Sequence, residues 1–198
     1  MSINDVVDAI DQSAKRRRDR LIAVYIGALA VALAICSMGA GNATKDIMAS
    51  NIEATNTWAF FQAKNIRRHD MRLQIDELEV LQATEPNLSE SARSLIAEKI
   101  KKYREKEAHL NSEPEAGEGL KELLVKGKAL EANRDIAMRK DRYFDYGMAL
   151  LQIAIVLASV SIITGGTSLL VLSVLSSAVG IISMLNGFTL VYTVPLIG

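Results

Sequence analysis

An all-α membrane protein, with three transmembrane helices and a long extramembrane helical hairpin or coiled coil, is the fold class this sequence predicts. Three observations predict it. Residues 21–41 contain no Asp, Glu, Lys, Arg or His, and neither do residues 146–190. At about 1.5 Å per helical residue, the first run suits one crossing of a roughly 30 Å hydrocarbon layer and the second suits two crossings with a turn. Between them, residues 42–145 hold 18 Lys or Arg against 19 Asp or Glu, set among helical periodicities. The formal net charge of zero is therefore an average over unlike regions. The balanced middle has no basic face for a nucleic acid. The chain divides into a basic amphipathic segment (1–20), a first span (21–41), a helical coiled-coil segment (42–145), a transmembrane hairpin (146–190) and an apolar tail (191–198).

The opening Ser2-Ile3-Asn4-Asp5 has the form of a capping box, and Ile3, Val6, Val7 and Ile10 fall on one helical face. Lys15, Arg16, Arg17, Arg18 and Arg20 then precede the first span. This cluster reads as an uncleaved anchor with a cytoplasmic N-terminus, which puts the middle segment in the periplasm. Arg134, Arg139, Lys140 and Arg142 crowd the second span and pull the other way, but the first helix usually dominates orientation. Within the first span, Ala23, Gly27, Ala30 and Ala34 recur at steps of four and three, a small-residue stripe that lets helix backbones approach closely in lipid. The partner of that stripe is left open between another span and a second copy. Cys36, the single cysteine, lies inside the span and reads as a packing residue.

From residue 43 two stripes run side by side at helical spacing. One is small or apolar: Ala43, Ile47, Ser50, Ala54, Thr57 and Phe61. The other is uncharged and largely polar: Thr44, Met48, Asn51, Thr55, Trp58, Gln62, Asn65 and His69. Alternating steps of four and three make a coiled-coil seam, and Asn at a seam position fixes register, so Asn51 and Asn65 are expected register-setters. Ile47, Asn51, Ala54, Thr55, Trp58, Phe61, Gln62 and Asn65 are the expected oligomer seam. A two-helix hairpin with a moderately polar surface is the plainer alternative.

The run Asn42-Ala43-Thr44-Lys45-Asp46, then Ala49 to Ala54, then Trp58-Ala59-Phe60-Phe61-Gln62-Ala63-Lys64, placed directly after an N-terminal span, resembles the domain of unknown function 4337. The resemblance covers most of the chain and implies a bacterial membrane protein of helical architecture. It brings no catalytic residues. Phe61 stands where the resemblance leads one to expect a tyrosine.

Farther on, Thr84-Glu85-Pro86-Asn87 predicts a break, because Pro disfavours helical geometry at the residue before it, and Asn87 or Ser89 can cap the next helix. That helix, about 89–110, carries Ile96, Ile100, Tyr103 and Leu110 on one face and a solvated charged surface on the other. Residues 111–119 form the clearest loop. A third helix follows with Leu123, Leu130, Ala137 and Phe144 seven apart, weakened at Gly127 by about 1 kcal/mol relative to Ala. Helix lengths favour the main reversal at Pro86 over one at Pro114, since two shorter helices together match the first. Thr164-Gly165-Gly166-Thr167 permits only a tight turn between the last two spans. Ser173, Ser176, Ser177, Gly180, Ser183 and Gly187 give the final span a small-residue face, with Ser173, Ser177, Gly180 and Gly187 as its expected packing positions. Gln152 and Asn186 are expected to make structural hydrogen bonds.

The sequence contains no recognisable catalytic centre. His69 and His109 are the only histidines and have no metal-ligand spacing, no glycine-rich loop follows a strand, and no serine has an evident base partner. No cofactor or metal is expected. The spans hold no ionisable group of the kind coupled transporters use. Two function classes are left. One is a self-associating scaffold or interaction protein, alone or joined to a larger membrane complex. The other is a passive oligomeric channel, its vestibule lined by Asn51, Thr55, Gln62 and Asn65 with Lys64 nearby.

Overall fold

The structure, a computed structural model, describes the backbone of residues 3–192 and the side chains from residue 12 onward. The expected capping box at Ser2 and the apolar face of Ile3, Val6, Val7 and Ile10 lie outside the residues whose side chains are described. So does most of the apolar tail, including Pro195. Four helices follow in order: α1 (Ile3–Thr84), α2 (Glu90–Asn111), α3 (Leu120–Thr164) and α4 (Thr167–Thr189). No strand occurs among the described residues. Three of the four helices are long and apolar enough to cross a membrane.

Composition divides the first 84 residues into three segments, but the backbone does not: α1 is one helix of 82 residues. Changes of polarity do not interrupt hydrogen bonding. The interior glycines each cost only about 1 kcal/mol, and no proline intervenes before Pro86. There the helix stops. Of the two expected caps, Ser89 is the one used, its hydroxyl accepting from the Ala92 N–H at 3.2 Å. After α2, the 112–119 loop is pinned by Glu122, which accepts from the Ser112 hydroxyl at 2.7 Å and the Glu113 N–H at 3.2 Å. The Ser112 hydrogen bond holds the Glu122 carboxyl below the usual range. Gly117 turns the loop at φ 68° and Gly165 turns the last hairpin at φ 71°, conformations that a side chain would oppose.

Two compact units result: residues up to 47 with those from 135 onward, and residues 48–134. In the first unit, Leu29, Cys36, Ala40, Ala43, Phe144, Leu151, Ala154 and Met184 form the core. Helices α3 and α4 meet at Gly147 and Gly180, where a Cβ on either residue would lie 3.2 Å from the other's carbonyl oxygen. The Phe144 ring occupies the space left by two more glycines; a Cβ would approach it to 2.6 Å at Gly39 and 2.8 Å at Gly187. Its edge meets Phe188, with ring centroids 4.7 Å apart. Serines of α4 donate to carbonyls of α3: Ser173 to Ala154 at 2.6 Å, Ser176 to Leu150 at 2.9 Å and Ser183 to Tyr143 at 2.7 Å. The small-residue face of α4 thus packs within its own chain.

The second unit is a helical hairpin that reverses at Pro86, where helix length places it. Ile75 on α1 packs with Ile96 and Ile100 on α2, flanked by Leu78, Leu88 and Tyr103. Ion pairs join the same helices, Arg72 with Glu107 and Arg104 with Glu79. Farther along, Leu120 and Leu123 at the start of α3 are also buried, continuing the return arm.

Candidate functional site

Helix α1 has two long faces within residues 48–84, and they differ in what covers them. The inner face repeats at four and three: Ser50, Ala54, Thr57, Phe61, Lys64, Arg68, Met71, Ile75 and Leu78, every one buried or half-buried. Lys64 is the unexpected member. Its ammonium donates to the Glu118 carbonyl at 2.6 Å, reaches Glu113 at 3.3 Å and lies 4.9 Å from the Phe60 ring centroid. A charge is tolerated here because each direction of approach offers electron density. Arg68 donates to Asn65 at 2.9 Å and Asn111 at 3.1 Å.

Trp58 sits at the edge of this face. Its indole N–H donates to Glu131 at 2.9 Å, its ring meets Phe61 edge-on at 5.6 Å, and a Cβ on Gly127 would fall 2.9 Å from it. Gly127, which reads in sequence as a weak point in the α3 heptad, is the socket for the tryptophan. Leu123 and Ala137 of that heptad are buried and Leu130 is half-buried.

The residues expected to form one oligomer seam are thereby divided. Ala54 is buried on the inner face of the hairpin; Ile47, Phe61, Trp58 and Asn65 are half-buried. Asn51, Thr55 and Gln62 are exposed, and the Thr55 hydroxyl is satisfied by the Asn51 carbonyl at 2.8 Å. Lys64, placed in sequence beside a polar vestibule, is turned inward and committed to Glu113 and Glu118. His69 is exposed, and His109 pairs with Glu113 at 3.5 Å.

The expected packing residues of the apolar helices divide in the same way. Ser173, Ser177, Gly180 and Gly187 are buried. Ala23, Gly27, Ala30 and Ala34 are exposed, and a Cβ on Gly27 would meet nothing within 4 Å. Of the two amides, Asn186 makes hydrogen bonds, donating to the Tyr192 carbonyl at 2.7 Å and accepting its N–H at 2.9 Å; Gln152 is exposed. Tyr25 is a contact that sequence reasoning missed. Its hydroxyl lies 2.8 Å from the Ser177 oxygen and 3.2 Å from that of Ser173. A tyrosine in an otherwise aliphatic run, opposite a serine face, is the signal that could have found it.

Among the described residues no group of three or more His, Cys, Asp or Glu is placed to hold a metal ion. What the geometry defines is an all-helical protein built from an apolar three-helix bundle and a charged helical hairpin. Residues 18–190 match a domain of unknown function, DUF4337, and the chain belongs to that family. Neither the curated proteins nor the solved structures include a match.

Proposed function

We propose that this chain is a homo-oligomeric scaffold or interaction protein of the bacterial inner membrane, with residues 48–134 as a periplasmic helical arm. The observation that carries the reading is the unequal treatment of the two faces of α1. The hairpin covers the inner face along its length. The uncharged outer positions Met48, Asn51, Thr55 and Gln62 remain exposed on a helix that needs no further support from its own chain.

Supporting features lie in the first unit. Val24, Val31, Val179 and Ile182 are more than half exposed, a surface suited to lipid rather than water. Arg18 donates to the Gly165 carbonyl at 2.9 Å, so one arginine of the basic cluster and the α3–α4 turn share an end of this unit. The positive-inside rule assigns that end to the cytoplasm. Ala23, Gly27, Ala30 and Ala34 present an open small-residue stripe of the kind that pairs spans of separate copies. The reading assigns no catalytic residue and no cofactor.

The test is the mass of the complex extracted gently from native membrane, with every co-purifying chain identified. An integral multiple of 21.6 kDa supports the proposal. A monomer overturns it, and a stoichiometric foreign subunit replaces it with an accessory role in a larger membrane complex. In liposomes the scaffold predicts background ion flux for both the wild type and a variant carrying Asn51→Leu and Gln62→Leu. Flux above background that the double variant alters would transfer the assignment to a channel.

A further inference from the structure

Counted in sevens, Ile52, Ala59, Ile66, Leu73 and Val80 share one line on α1, and Met48, Thr55, Gln62 and His69 run beside it. In heptad terms these are the a and d positions of a seam on the side of the helix away from α2 and α3. The large members are open: Met48 is 61% exposed, Ile52 61%, Ile66 63% and Leu73 48%. A strict seven-residue repeat holds a line only if the helix supercoils left-handedly, as helices do when they wrap a partner. The hairpin packs through the opposite face by the same seven-residue repeat, which leaves this outer line without a partner in its own chain.

We infer that this line is a parallel, in-register coiled-coil interface with a second copy of the same chain. The inference rests on the self-association proposed above and specifies which face carries it. Four features select a second copy as the occupant. Ile52 and Ile66 at a are β-branched side chains of the kind that parallel pairs accommodate at that position. At d, Gln62 facing its own copy can exchange amide hydrogen bonds, whereas a foreign apolar helix would leave it unpaired. Thr55 needs nothing across the seam, because its hydroxyl is already bonded within the helix.

Flanking positions supply the fourth feature. In a parallel pair each g residue faces the e residue five positions later on the partner. Here that sets Asn51 against Asn56, Asn65 against Asp70 and Arg72 against Glu77, so no like charges oppose along the seam. The strip from Met48 to Leu73 is bounded by charge: Lys45 at the preceding a position and Asp76 at the next d position would each face themselves, and Val80 lies beyond that limit. Met48 to Leu73 is roughly 40 Å of helix. With a contact strip about 12 Å wide, that is about 500 Å² per copy and roughly 1,000 Å² in all, the lower limit for a specific interface.

Single cysteines placed in a Cys36→Ser background of the full chain, in native membranes, test this under mild oxidation. Ile52→Cys, Ile66→Cys and Leu73→Cys are each expected to lose monomer to a disulfide-linked dimer. Gln74→Cys, exposed but on another face, should stay monomeric. Dimer from mixing Ile52→Cys with Leu73→Cys, but from neither alone, would mean antiparallel pairing and overturn the inference. Linking that is equal at Gln74, or absent at all three seam positions while the native mass remains a multiple of the chain, overturns the seam and leaves self-association standing. A monomeric native mass removes both.

Discussion

In residues 12–47 with 135–192, helices approach through the absence of side chains: Gly147 against Gly180, Phe144 seated between Gly39 and Gly187, and serine hydroxyls on bare carbonyls. In residues 48–134 the approach is made by side chains. Ile75, Ile96 and Ile100 fill the hairpin, Trp58 occupies the Gly127 socket, and Lys64, Arg72 and Arg104 bridge to carboxylates. On the membrane reading proposed above, the difference is one of solvent. Where the outside of the bundle is as apolar as its inside, only close backbone contact and hydroxyl hydrogen bonds separate a good pairing from a poor one. Where the outside is polar, burial of branched side chains supplies the preference and charges set the register.

Substitutions can break this comparison. The largest effect belongs to Phe144→Ala, which empties the two-glycine seat and is expected to cost about 3 to 5 kcal/mol in reversible unfolding from mixed micelles. A value below about 1 kcal/mol would mean that the bundle collapses around the cavity. Gly127→Ala comes next. Helix propensity alone predicts a gain of about 1 kcal/mol, but the clash with Trp58 predicts a net loss of about 1 to 2 kcal/mol. In a Trp58→Ala background the same change should become stabilising. A thermal-melt double-mutant cycle reads the reversal, and an unchanged sign would remove the socket from the account.

Acid sharpens the contrast more gently. Because the Glu122 carboxyl is held below its usual value, the stability it contributes is present above about pH 4.5 and is lost as pH falls through the lower folded-state value. Glu122→Gln should flatten that part of the stability profile, measured as the pH dependence of the unfolding midpoint. Smallest of all is Arg104→Gln. Its pair with Glu79 is largely exposed, so a loss of about 0.5 kcal/mol, fading as salt rises, is expected from denaturant titration.

Much of the fold is legible in the chain because its signals are local. Uncharged runs mark the apolar helices, Pro86 and Ser89 mark the reversal, and Gly165-Gly166 marks the last turn. The matching of two shorter helices to one longer one places the reversal without any tertiary information. Partnership is less legible. Ala54 and Phe61 carry the same pattern whether they face a hairpin arm or another copy, since periodicity records that a face is covered and not by what. Gly127 looks like a defect until Trp58, 69 positions earlier in the numbering, is brought against it. Asparagines make the polar stripe conspicuous, while the heptad of Ile52, Ile66 and Leu73 next to it is masked by Ala59, which interrupts its run of large side chains.

The hydrogen bond from Arg18 to Gly165 has a consequence in biosynthesis. Its partners are 147 residues apart, and the Tyr25 hydroxyl waits for serines 148 and 152 residues downstream. At roughly 5 to 20 residues per second, the first apolar helix exists for about 7 to 30 s before the groups that complete it have been made. During that interval Arg18 has only nearby groups such as Asp19, 3.3 Å away in the finished structure. The last turn and the final helix therefore act together as a clasp: a chain truncated before residue 165 would leave the arginine and the tyrosine without their long-range partners.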